Sequence, residues 1–383
     1  MKTFKDLGVS ADIIKGLEEQ KILKPTEIQL KALPFLLKQG DDFIGQAQTG
    51  TGKTAAFGVP ILQKIDPKKK EVQALVLAPT RELAQQIAKQ LFRFTKYTEK
   101  IFTEAVYGGE KIEKQIQSLQ RPTHIIVATP GRLIDLLKEK AVDISRINTL
   151  VLDEADEMLS MGFKDQLKKI LEFTTGTRKT WLFSATLPQG IRELIKSYMS
   201  KEAFKVHIDP KNQVNQDIKH LYCFCTAKEK NDKVEDFLKE YPEEQGLIFC
   251  KTKLGAVALN SELEKRGYSA GVLHGDMNQL EREKVMRAFK KERLRLLVAT
   301  DVAARGIDIP ALSFVLHYQL PDQSEYYTHR SGRTARAGKK GVSFAFIHPQ
   351  DKKMIKELER SLNIQFFEGY TKPSSPWANS PWQ

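Results

Sequence analysis

The chain is poor in cysteine, and the few cysteines it has do not form a recognisable metal site. Among 383 residues there are three, Cys223, Cys225 and Cys250. Cys223 and Cys225 are two residues apart in a segment typical of a strand, so both thiols would face the same side. No further Cys or His pair at ligand spacing accompanies them. We interpret all three as buried structural thiols in a reducing compartment.

Long hydrophobic runs are also missing. No apolar stretch approaches the roughly 18 residues that a membrane-spanning helix needs. The first residues, 1–6, contain an acidic residue, Asp6, and no apolar segment of the kind that a secretion signal has. These absences predict no membrane association and a cytoplasmic location. A chain of 383 residues is long enough for two hydrophobic cores, because single cores stop growing near ~250–300 residues.

Acidic side chains are outnumbered by basic ones. There are 61 Lys and Arg residues against 48 Asp and Glu residues, which gives a formal net charge of +13. An excess of this kind favours a polyanionic partner, most often a nucleic acid. A merely solubilising surface would have the same composition, so charge alone leaves both interpretations open.

Apolar stretches that resemble buried strands alternate with amphipathic helical patterns through the first half of the chain. The stretches are 42–44, 74–78, 124–128, 149–152 and 181–183. This alternation predicts an α/β fold with a mostly parallel, doubly wound sheet. Each stretch ends in a polar or glycine-containing cluster. Because such sheets bind ligands at the carboxyl ends of their strands, the clusters predict a functional edge.

The pattern pauses and then restarts, which predicts two tandem α/β domains with helices on both faces of each sheet. Residues 208–216 are polar and interrupted by Pro210, as in a linker. We therefore predict a first domain at 1–207, a linker at 208–216 and a second domain at 217–370. The tail, 371–383, is rich in Pro and Ser and repeats Ser-Pro-Trp. We predict that it is disordered, with a partner-docking segment as the alternative.

A phosphate-binding loop follows the first predicted strand. Residues 50–54 read Gly-Thr-Gly-Lys-Thr, the ending of a P-loop, between a strand and a helix. Glycines allow backbone N–H groups to wrap phosphate oxygens, and the helix N-terminus adds positive potential. Lys53 would reach the β- and γ-phosphates, and Thr54 would offer its hydroxyl to Mg²⁺. The first glycine of the generic pattern is replaced by Ala47.

An acidic pair ends another predicted strand of the same sheet. Asp153 and Glu154 follow Thr149 and the three apolar residues 150–152, as in a Walker B segment. A carboxylate at this position holds Mg²⁺, partly through water, and its neighbour can orient the attacking water. An acidic helix start would explain the pair alone, but it does not explain a P-loop upstream. Together the two segments predict a nucleotide-hydrolysing site.

Residues 153–156, Asp-Glu-Ala-Asp, spell the name of the DEAD-box ATP-dependent RNA helicase family, and the chain resembles that family over about residues 4–347. Further segments resemble its motifs in the same order. These are the Q motif at 25–29 with Phe4 upstream, motif I at 47–54, motif Ia at 79–84, the GG doublet at 108–109, motif Ib at 129–132, motif III at 184–186, the QxxR element at 279–282, motif V at 299–308 and motif VI at 329–336. Motif IV, at 248–252, is a weaker match.

The resemblance implies the role of each matching residue. Catalysis would involve Lys53, Asp153, Glu154, Arg333 and Arg336, with Thr54 and Asp153 as the Mg²⁺ ligands. ATP would be bound by Phe4, Thr26, Gln29, Ala47, Gln48, Thr49, Gly50, Thr51, Gly52, Lys53, Thr54 and Asp308. Ser184, Ala185 and Thr186 would couple hydrolysis to work on RNA. The RNA backbone would be bound by Pro79, Thr80, Arg81, Gly108, Gly109, Thr129, Pro130, Gly131, Arg132, Arg282 and Thr300.

The implied protein is a minimal two-domain helicase core of RecA-like domains. It would use ATP and Mg²⁺ as cofactors, act as a monomer, and bind single-stranded and short duplex RNA with little sequence preference. A DNA-directed helicase and an ATP-gated RNA clamp that barely turns over remain the alternatives. The chain departs from the family pattern at Lys21 and Ala335, where glycine is usual, and at Ser331, where isoleucine is usual.

Overall fold

The computed structural model describes residues 2–38, 41–48, 50–174, 178–208, 217–304, 307, 309, 312–335 and 340–369. These residues form two compact units: the described residues up to 208 form one together with Ile307, and the other is formed by 217–304, Ile309, 312–335 and 340–369. Ile208, which the sequence assigned to a linker, is buried and donates its backbone N–H to the carbonyl of Gln46. The rest of the predicted linker, 209–216, and the tail, 371–383, lie outside the described residues.

Seven strands and nine helices of the first unit lie in the described part of the chain. The strands are β1 Phe43–Gln46, β2 Ala74–Leu77, β3 Thr103–Val106, β4 Ile125–Ala128, β5 Thr149–Asp153, β6 Lys179–Ser184 and β7 Phe204–His207. The helices are α1 Ala11–Glu19, α2 Glu27–Leu37, α3 Lys53–Lys64, α4 Arg81–Phe94, α5 Ile112–Leu119, α6 Pro130–Lys138, α7 Ala155–Ser160, α8 Lys164–Phe173 and α9 Gln189–Tyr198.

The second unit has seven further strands and six further helices among its described residues. The strands are β8 Ile218–Phe224, β9 Gly246–Cys250, β10 Ala270–Leu273, β11 Leu296–Thr300, β12 Phe314–His317, β13 Gly341–Ile347 and β14 Phe366–Glu368. The helices are α10 Lys230–Glu240, α11 Lys253–Lys265, α12 Gln279–Lys290, α13 Asp301–Ala304, α14 Ser324–Ser331 and α15 Lys352–Leu362, with a short 3₁₀ turn at Pro349–Asp351.

All strand pairs within each sheet are parallel, which confirms the predicted fold class. The first sheet has the order β3-β4-β2-β5-β6-β1-β7 and the second the order β10-β11-β9-β12-β13-β8-β14. If the strands of the second sheet are counted from β8, the two orders are the same. The chain therefore repeats one topology twice.

Alternate strand residues of the first sheet feed two separate cores. Ala74 and Val76 of β2 belong to the cluster that includes residues of α1–α4, whereas Leu75 and Leu77 belong to the cluster that includes residues of α6–α9. Both faces of the sheet are therefore covered by helices, which explains why its strands read as continuous apolar runs. Cys223, Cys225 and Cys250 are free and buried, as predicted. None of the helices in the described ranges is long and apolar enough to cross a membrane.

Lys21 ends the first helix in a left-handed conformation. Its N–H bonds to Glu18 O at 2.8 Å, and the N–H of Ile22 bonds to Leu17 O at 3.0 Å. This pattern is a Schellman motif, whose left-handed residue is usually glycine. Lys21 has φ +59°. The family pattern therefore has glycine here for a conformational reason, and lysine adopts the same turn at a cost.

We expect Lys21→Gly to stabilise the first unit by about 0.5–1 kcal/mol. The substitution relieves left-handed strain of roughly 1–2 kcal/mol and adds unfolded-state entropy of about 0.5–1 kcal/mol. Denaturant unfolding followed by the fluorescence of Trp181, which is fully buried in this unit, measures the change. Lys24→Gly is the matched control, because Lys24 is an exposed lysine without a positive φ. A loss of stability in Lys21→Gly equal to that of the control would refute the explanation.

Candidate functional site

The P-loop connects β1 to α3 through two left-handed glycines. Gly50 has φ +84° and Gly52 has φ +91°. The hydroxyl of Thr51 donates to Gln48 O at 2.8 Å and closes the turn. A Cβ at Gly52 would lie 2.5 Å from Gln29 Nε2. Gly52 is therefore required both by conformation and by close approach.

Lys53 begins α3 and is only 6% exposed. Its Nζ donates to Ala47 O at 3.2 Å and lies 4.0 Å from Asp153 Oδ1. Asp153 ends β5 and is buried too, and its burial raises the pKa of this carboxyl to about 7 against the opposing effect of Lys53. The P-loop and the acidic pair, which are 100 residues apart in sequence, therefore meet in one site.

Glu154 occupies a conformation that the sequence did not predict. It has φ 52° and ψ 51°, which is left-handed, and it directly precedes α7. Its N–H donates to Asp153 Oδ1 at 3.1 Å, and the residue is buried. A left-handed residue other than glycine stores strain of about 1–3 kcal/mol, and such residues cluster at active sites.

Asp156 links the acidic strand end to residues 184–186 at the end of β6. Its Oδ2 accepts the N–H of Thr186 at 2.8 Å and the hydroxyl of Thr186 at 2.9 Å. The hydroxyl of Ser184 accepts the N–H of Asp156 at 3.1 Å and donates to Thr186 O at 2.7 Å. The carbonyl of Ser184 also accepts the N–H of Ala47 at 2.9 Å. The acidic strand end, residues 184–186 and the P-loop are therefore directly connected by hydrogen bonds. The sequence had not indicated a role for Asp156.

Gln29 lies in the first turn of α2 and reaches the P-loop. Its Oε1 accepts the N–H of Thr26 at 3.0 Å, and its Nε2 donates to Gly52 O at 2.9 Å. An amide offers two donors and two acceptor lone pairs, so one donor and one lone pair remain for a further partner. Phe4 is only 4% exposed and packs in the core of the first unit. Little of its ring is therefore free to stack.

The second group of predicted residues lies around the loop after β3. Arg81, at the start of α4, donates from Nη1 to Gly108 O at 3.4 Å. Arg132, in the first turn of α6, donates from Nη2 to Glu110 O at 2.8 Å. The Nε and Nη1 atoms of Arg132 are buried and have no hydrogen-bond acceptor among the described residues, although Nε lies 3.8 Å from Asp135. A buried guanidinium with unused donors fits a phosphate ligand.

Residues preceding these arginines begin their helices. Thr80 precedes α4 and accepts the N–H of Leu83 with its hydroxyl at 3.3 Å. Thr129 precedes α6, and Pro130 takes the first helical position, where a missing N–H costs nothing. Pro79 is buried and Gly131 is partly exposed beside them. The predicted residues of motifs Ia and Ib therefore form the starts of two helices.

Strand order sorts the predicted residues of the first unit into two halves of one sheet edge. Neighbouring strands β5, β6 and β1 end in the acidic pair, residues 184–186 and the P-loop. Neighbouring strands β3, β4 and β2 end in residues 108–109, 129–132 and 79–81. All of these ends lie at the carboxyl edge, because every pair is parallel. The residues predicted for ATP and those predicted for RNA therefore occupy adjacent halves.

Arg330, in α14 of the second unit, was not assigned a role from the sequence. It is almost fully buried, its Nε and Nη2 donate to the two carboxylate oxygens of Asp301 at 2.6 Å each, and its Nη1 donates to Gln319 O at 2.7 Å. The guanidinium also lies 5.0 Å from the ring centre of Phe249. This residue connects the segments predicted as motifs IV, V and VI.

A buried polar cluster extends from Arg330. The guanidinium can only donate, so the contact of its Nη1 with His317 Nδ1 at 3.5 Å makes that nitrogen the acceptor. The hydrogen of His317 is then on Nε2, which donates to Ser343 Oγ at 3.0 Å. Ser343 Oγ also lies 2.8 Å from Ser331 Oγ and 3.0 Å from Tyr327 Oη. Burial, with Arg330 adding to it, lowers the pKa of His317 well below its usual value. Ser331 stands where the family pattern has isoleucine, and its hydroxyl has a hydrogen-bond partner in this cluster.

The turn that carries Arg333 is fixed on both sides. The N–H of Arg333 donates to Arg330 O at 3.0 Å, and the carbonyl of Arg333 accepts the N–H of Leu312 at 3.3 Å. Thr334 Oγ1 donates to Leu312 O at 2.5 Å. Ala335 has φ +53°. Thus Lys21 and Ala335, the two positions where the chain lacks a glycine of the family pattern, are both left-handed.

Two further predicted RNA residues belong to the second unit. Arg282, in α12, donates from Nη2 to Ala303 O at 3.2 Å, and Thr300 ends β11. Strands β10, β11 and β9 are neighbours, in the positions that β3, β4 and β2 occupy in the first sheet. Thr49, Asp308 and Arg336 lie outside the described residues.

The residues around Lys53 fit a magnesium nucleotide. Mg²⁺ prefers oxygen ligands, which the hydroxyl of Thr54 and the carboxylate of Asp153 can supply. Burial raises the pKa of Asp153, and a bound cation beside it would favour the carboxylate form. The left-handed glycines and the start of α3 present backbone N–H groups of the kind that bind phosphates.

A P-loop and an acidic strand end in one parallel sheet, followed by a second unit of the same strand order, define a tandem RecA-like nucleotide-hydrolysing protein. Residues 26–194 match the family model described as DEAD/DEAH box helicase, and residues 229–338 match that described as helicase conserved C-terminal domain. The chain belongs to the DEAD-box ATP-dependent RNA helicase family, and it is an enzyme that hydrolyses ATP.

Similar proteins and similar solved structures support this family membership. The DEAD-box ATP-dependent RNA helicases CshA of Bacillus cereus and Geobacillus kaustophilus are each 42% identical to it over 361 residues, covering 94% of this chain and 68% and 77% of the relatives. The structure of S. cerevisiae Dbp5 bound to RNA and ADP BeF3 is 33% identical, with TM-score 0.88 over 99% of this chain and 97% of that one. Mss116p bound to ssRNA and AMP-PNP is 31% identical, with TM-score 0.84 over 97% and 80%.

We expect Gln29→Glu to raise KM for ATP roughly tenfold, which is about 1.4 kcal/mol of binding. The ionised carboxylate keeps the acceptor for Thr26 but loses the donor to Gly52 O, and it adds negative charge beside the phosphate loop. Steady-state ATPase assays at saturating RNA measure KM and kcat. Gln20→Glu, in which the changed side chain contacts Arg93, is the control. An unchanged KM in Gln29→Glu would contradict the link between Gln29 and nucleotide binding.

Proposed function

We propose that this chain couples RNA-stimulated ATP hydrolysis to closure of its two units, and that closure locally separates short RNA duplexes or remodels RNA–protein complexes. The observation that carries the proposal is the sharing of one sheet edge by the two halves described above. The strands β2 and β5, which belong to the predicted RNA half and the predicted ATP half, are neighbours. A structural change caused by ATP would therefore reach the RNA-binding residues over a short distance. The RNA-bound and nucleotide-bound states of Dbp5 and Mss116p support the same pairing of ligands.

In the proposed reaction, the P-loop amides and Lys53 hold the ATP phosphates, and Glu154 orients the attacking water. Thr54 and Asp153 would hold Mg²⁺, which when bound supplies positive charge that offsets the phosphate oxygens. The free donor and lone pair of Gln29 would read the adenine edge together with Thr26. Phe4 would stack on the base only if its ring became uncovered.

Arg333 and Arg336 would supply positive charge from the second unit as the γ-phosphoryl group leaves, and Asp308 would contact the ribose. Where such arginine fingers have been measured they contribute roughly 10³–10⁵ in kcat. The hydrogen bonds of the Arg333 backbone to Arg330 and Leu312 support this role, because they hold the position from which the side chain extends. Asp156 bonds to Thr186 and Ser184, so a movement of the acidic pair during hydrolysis would also move residues 184–186.

RNA would be bound through its backbone in both units. The buried donors of Arg132, the N–H groups of the loop after β3 and the start of α5 all suit phosphate oxygens. Arg81, Arg282 and Thr300 would add further backbone contacts. Contacts of this kind predict little sequence preference and an affinity that falls steeply with salt. A monomeric state and a cytoplasmic location remain predictions.

We expect Lys53→Ala and Glu154→Gln each to lower RNA-stimulated kcat by roughly 10²–10³-fold. Lys53 neutralises the transferred phosphoryl group and Glu154 positions water, so both losses act on turnover. Glu154→Gln should retain ATP binding, measured by titration with a fluorescent ATP analogue. Glu172→Gln, an exposed residue of α8, is the control. Wild-type kcat in either active-site variant would show that another site hydrolyses ATP.

A further inference from the structure

The loop of residues 107–110, which we call the glycine loop, joins β3 to α5 and is held by side chains at three of its carbonyl groups. Gln115 Nε2 donates to Tyr107 O at 3.0 Å, Arg81 donates to Gly108 O at 3.4 Å and Arg132 donates to Glu110 O at 2.8 Å. Side-chain donors therefore occupy the acceptors of the loop.

Three N–H groups of the glycine loop, those of Gly108, Gly109 and Glu110, are not used within the part of the chain that the structure describes. Gly109 has φ +86°, and a Cβ there would lie 2.3 Å from Arg81 Nη1. Consecutive free N–H groups around a left-handed residue form a concave site for an anion. The carbonyl acceptors of the loop are therefore satisfied by side chains, whereas its three unused N–H donors are available to a ligand.

Gln115 differs from the two arginines in that it belongs to no motif and is only 4% exposed. It lies on the face of α5 that contains Ile112, Ile116 and Leu119, which pack against the core. Among the residues that the structure describes, its buried Oε1 has no hydrogen-bond donor, which costs free energy that an apolar residue would avoid. Packing alone does not account for a glutamine here, whereas its Nε2 bond to the loop does.

A second contact fixes the same loop at its first residue. Gln85, one turn after Arg81 on α4, donates from Nε2 to Tyr107 Oη at 2.5 Å. Tyr107 is thus held by its carbonyl through Gln115 and by its hydroxyl through Gln85. The loop is therefore held at its first residue, which defines the direction of the backbone through Gly108 and Gly109.

From this geometry we infer that Gln115 is a positioning residue for RNA binding: its amide holds Tyr107 O so that the N–H groups of Gly108, Gly109 and Glu110 stay directed at an RNA phosphate. The inference rests on the proposed function, because it requires that the loop bind RNA. Gln115 itself does not touch the RNA. Its loss therefore weakens a contact without removing a charge.

The test compares Gln115→Met, which has similar volume and no N–H donor, with Arg132→Ala, which removes a predicted phosphate contact. Binding of a fluorescein-labelled single-stranded RNA is measured in the presence of a non-hydrolysable ATP analogue, over a series of salt concentrations. We expect Gln115→Met to raise Kd about 3–10-fold at each salt concentration, with the wild-type slope of log K against log salt. Arg132→Ala should reduce that slope by about 1.

Catalytic measurements separate positioning from a structural defect. In Gln115→Met, KM for RNA should rise with Kd, whereas kcat at saturating RNA and the affinity for ATP without RNA should stay within about twofold of wild type. Gln117→Met, an exposed glutamine on the same helix, is the matched control and should behave as wild type. Gln115→Leu provides a second variant without the donor, and melting temperatures of all variants report folding.

The outcomes distinguish the inference from the proposed function. Wild-type RNA affinity in Gln115→Met, together with a weakened Arg132→Ala, overturns the inference and leaves the function intact. A loss of ATP affinity or a changed salt slope in Gln115→Met also overturns it, because positioning of the loop predicts neither. If wild-type protein does not bind RNA, or Arg132→Ala binds as wild type, the proposed RNA surface is wrong and the inference falls with it.

Discussion

Parallel pairing of every strand is the constraint on which the rest of this structure depends. It brings all strand ends of one kind to the same edge of each sheet, and the order β3-β4-β2-β5-β6-β1-β7 then decides which ends are neighbours. Lys53 and Asp153 meet at 4.0 Å because only β6 separates β1 from β5. Without this order, the motifs would be present in the chain but would not form a site.

Strong local patterns made the fold class predictable, and they also predicted the segments that the structure brings to one sheet edge. Short local stretches of sequence were enough to identify the P-loop, the acidic pair and the apolar runs. Both sheets form as the alternation predicts. Strands β3, β7 and β14 escaped notice, because they are short edge strands with partly exposed residues. A half-exposed edge strand lacks the continuous apolar run of a buried one.

Features that depend on tertiary contacts could not be predicted. The left-handed Glu154, the bonds of Asp156 to Thr186 and the reach of Gln29 to Gly52 join segments that no local pattern connects. Gln115 did carry a signal, since it is a polar residue on the apolar face of α5. The departures at Lys21 and Ala335 became intelligible only when both proved left-handed.

The central claim is that one chain couples ATP hydrolysis to RNA and not to nucleic acid in general. The most direct measurement is the ATPase rate of the intact protein with single-stranded RNA, with DNA of the same sequence and with neither, at equal salt. The account predicts fast hydrolysis with RNA and slow hydrolysis in the other two reactions. Equal rates with RNA and DNA, or a full rate without nucleic acid, would contradict it.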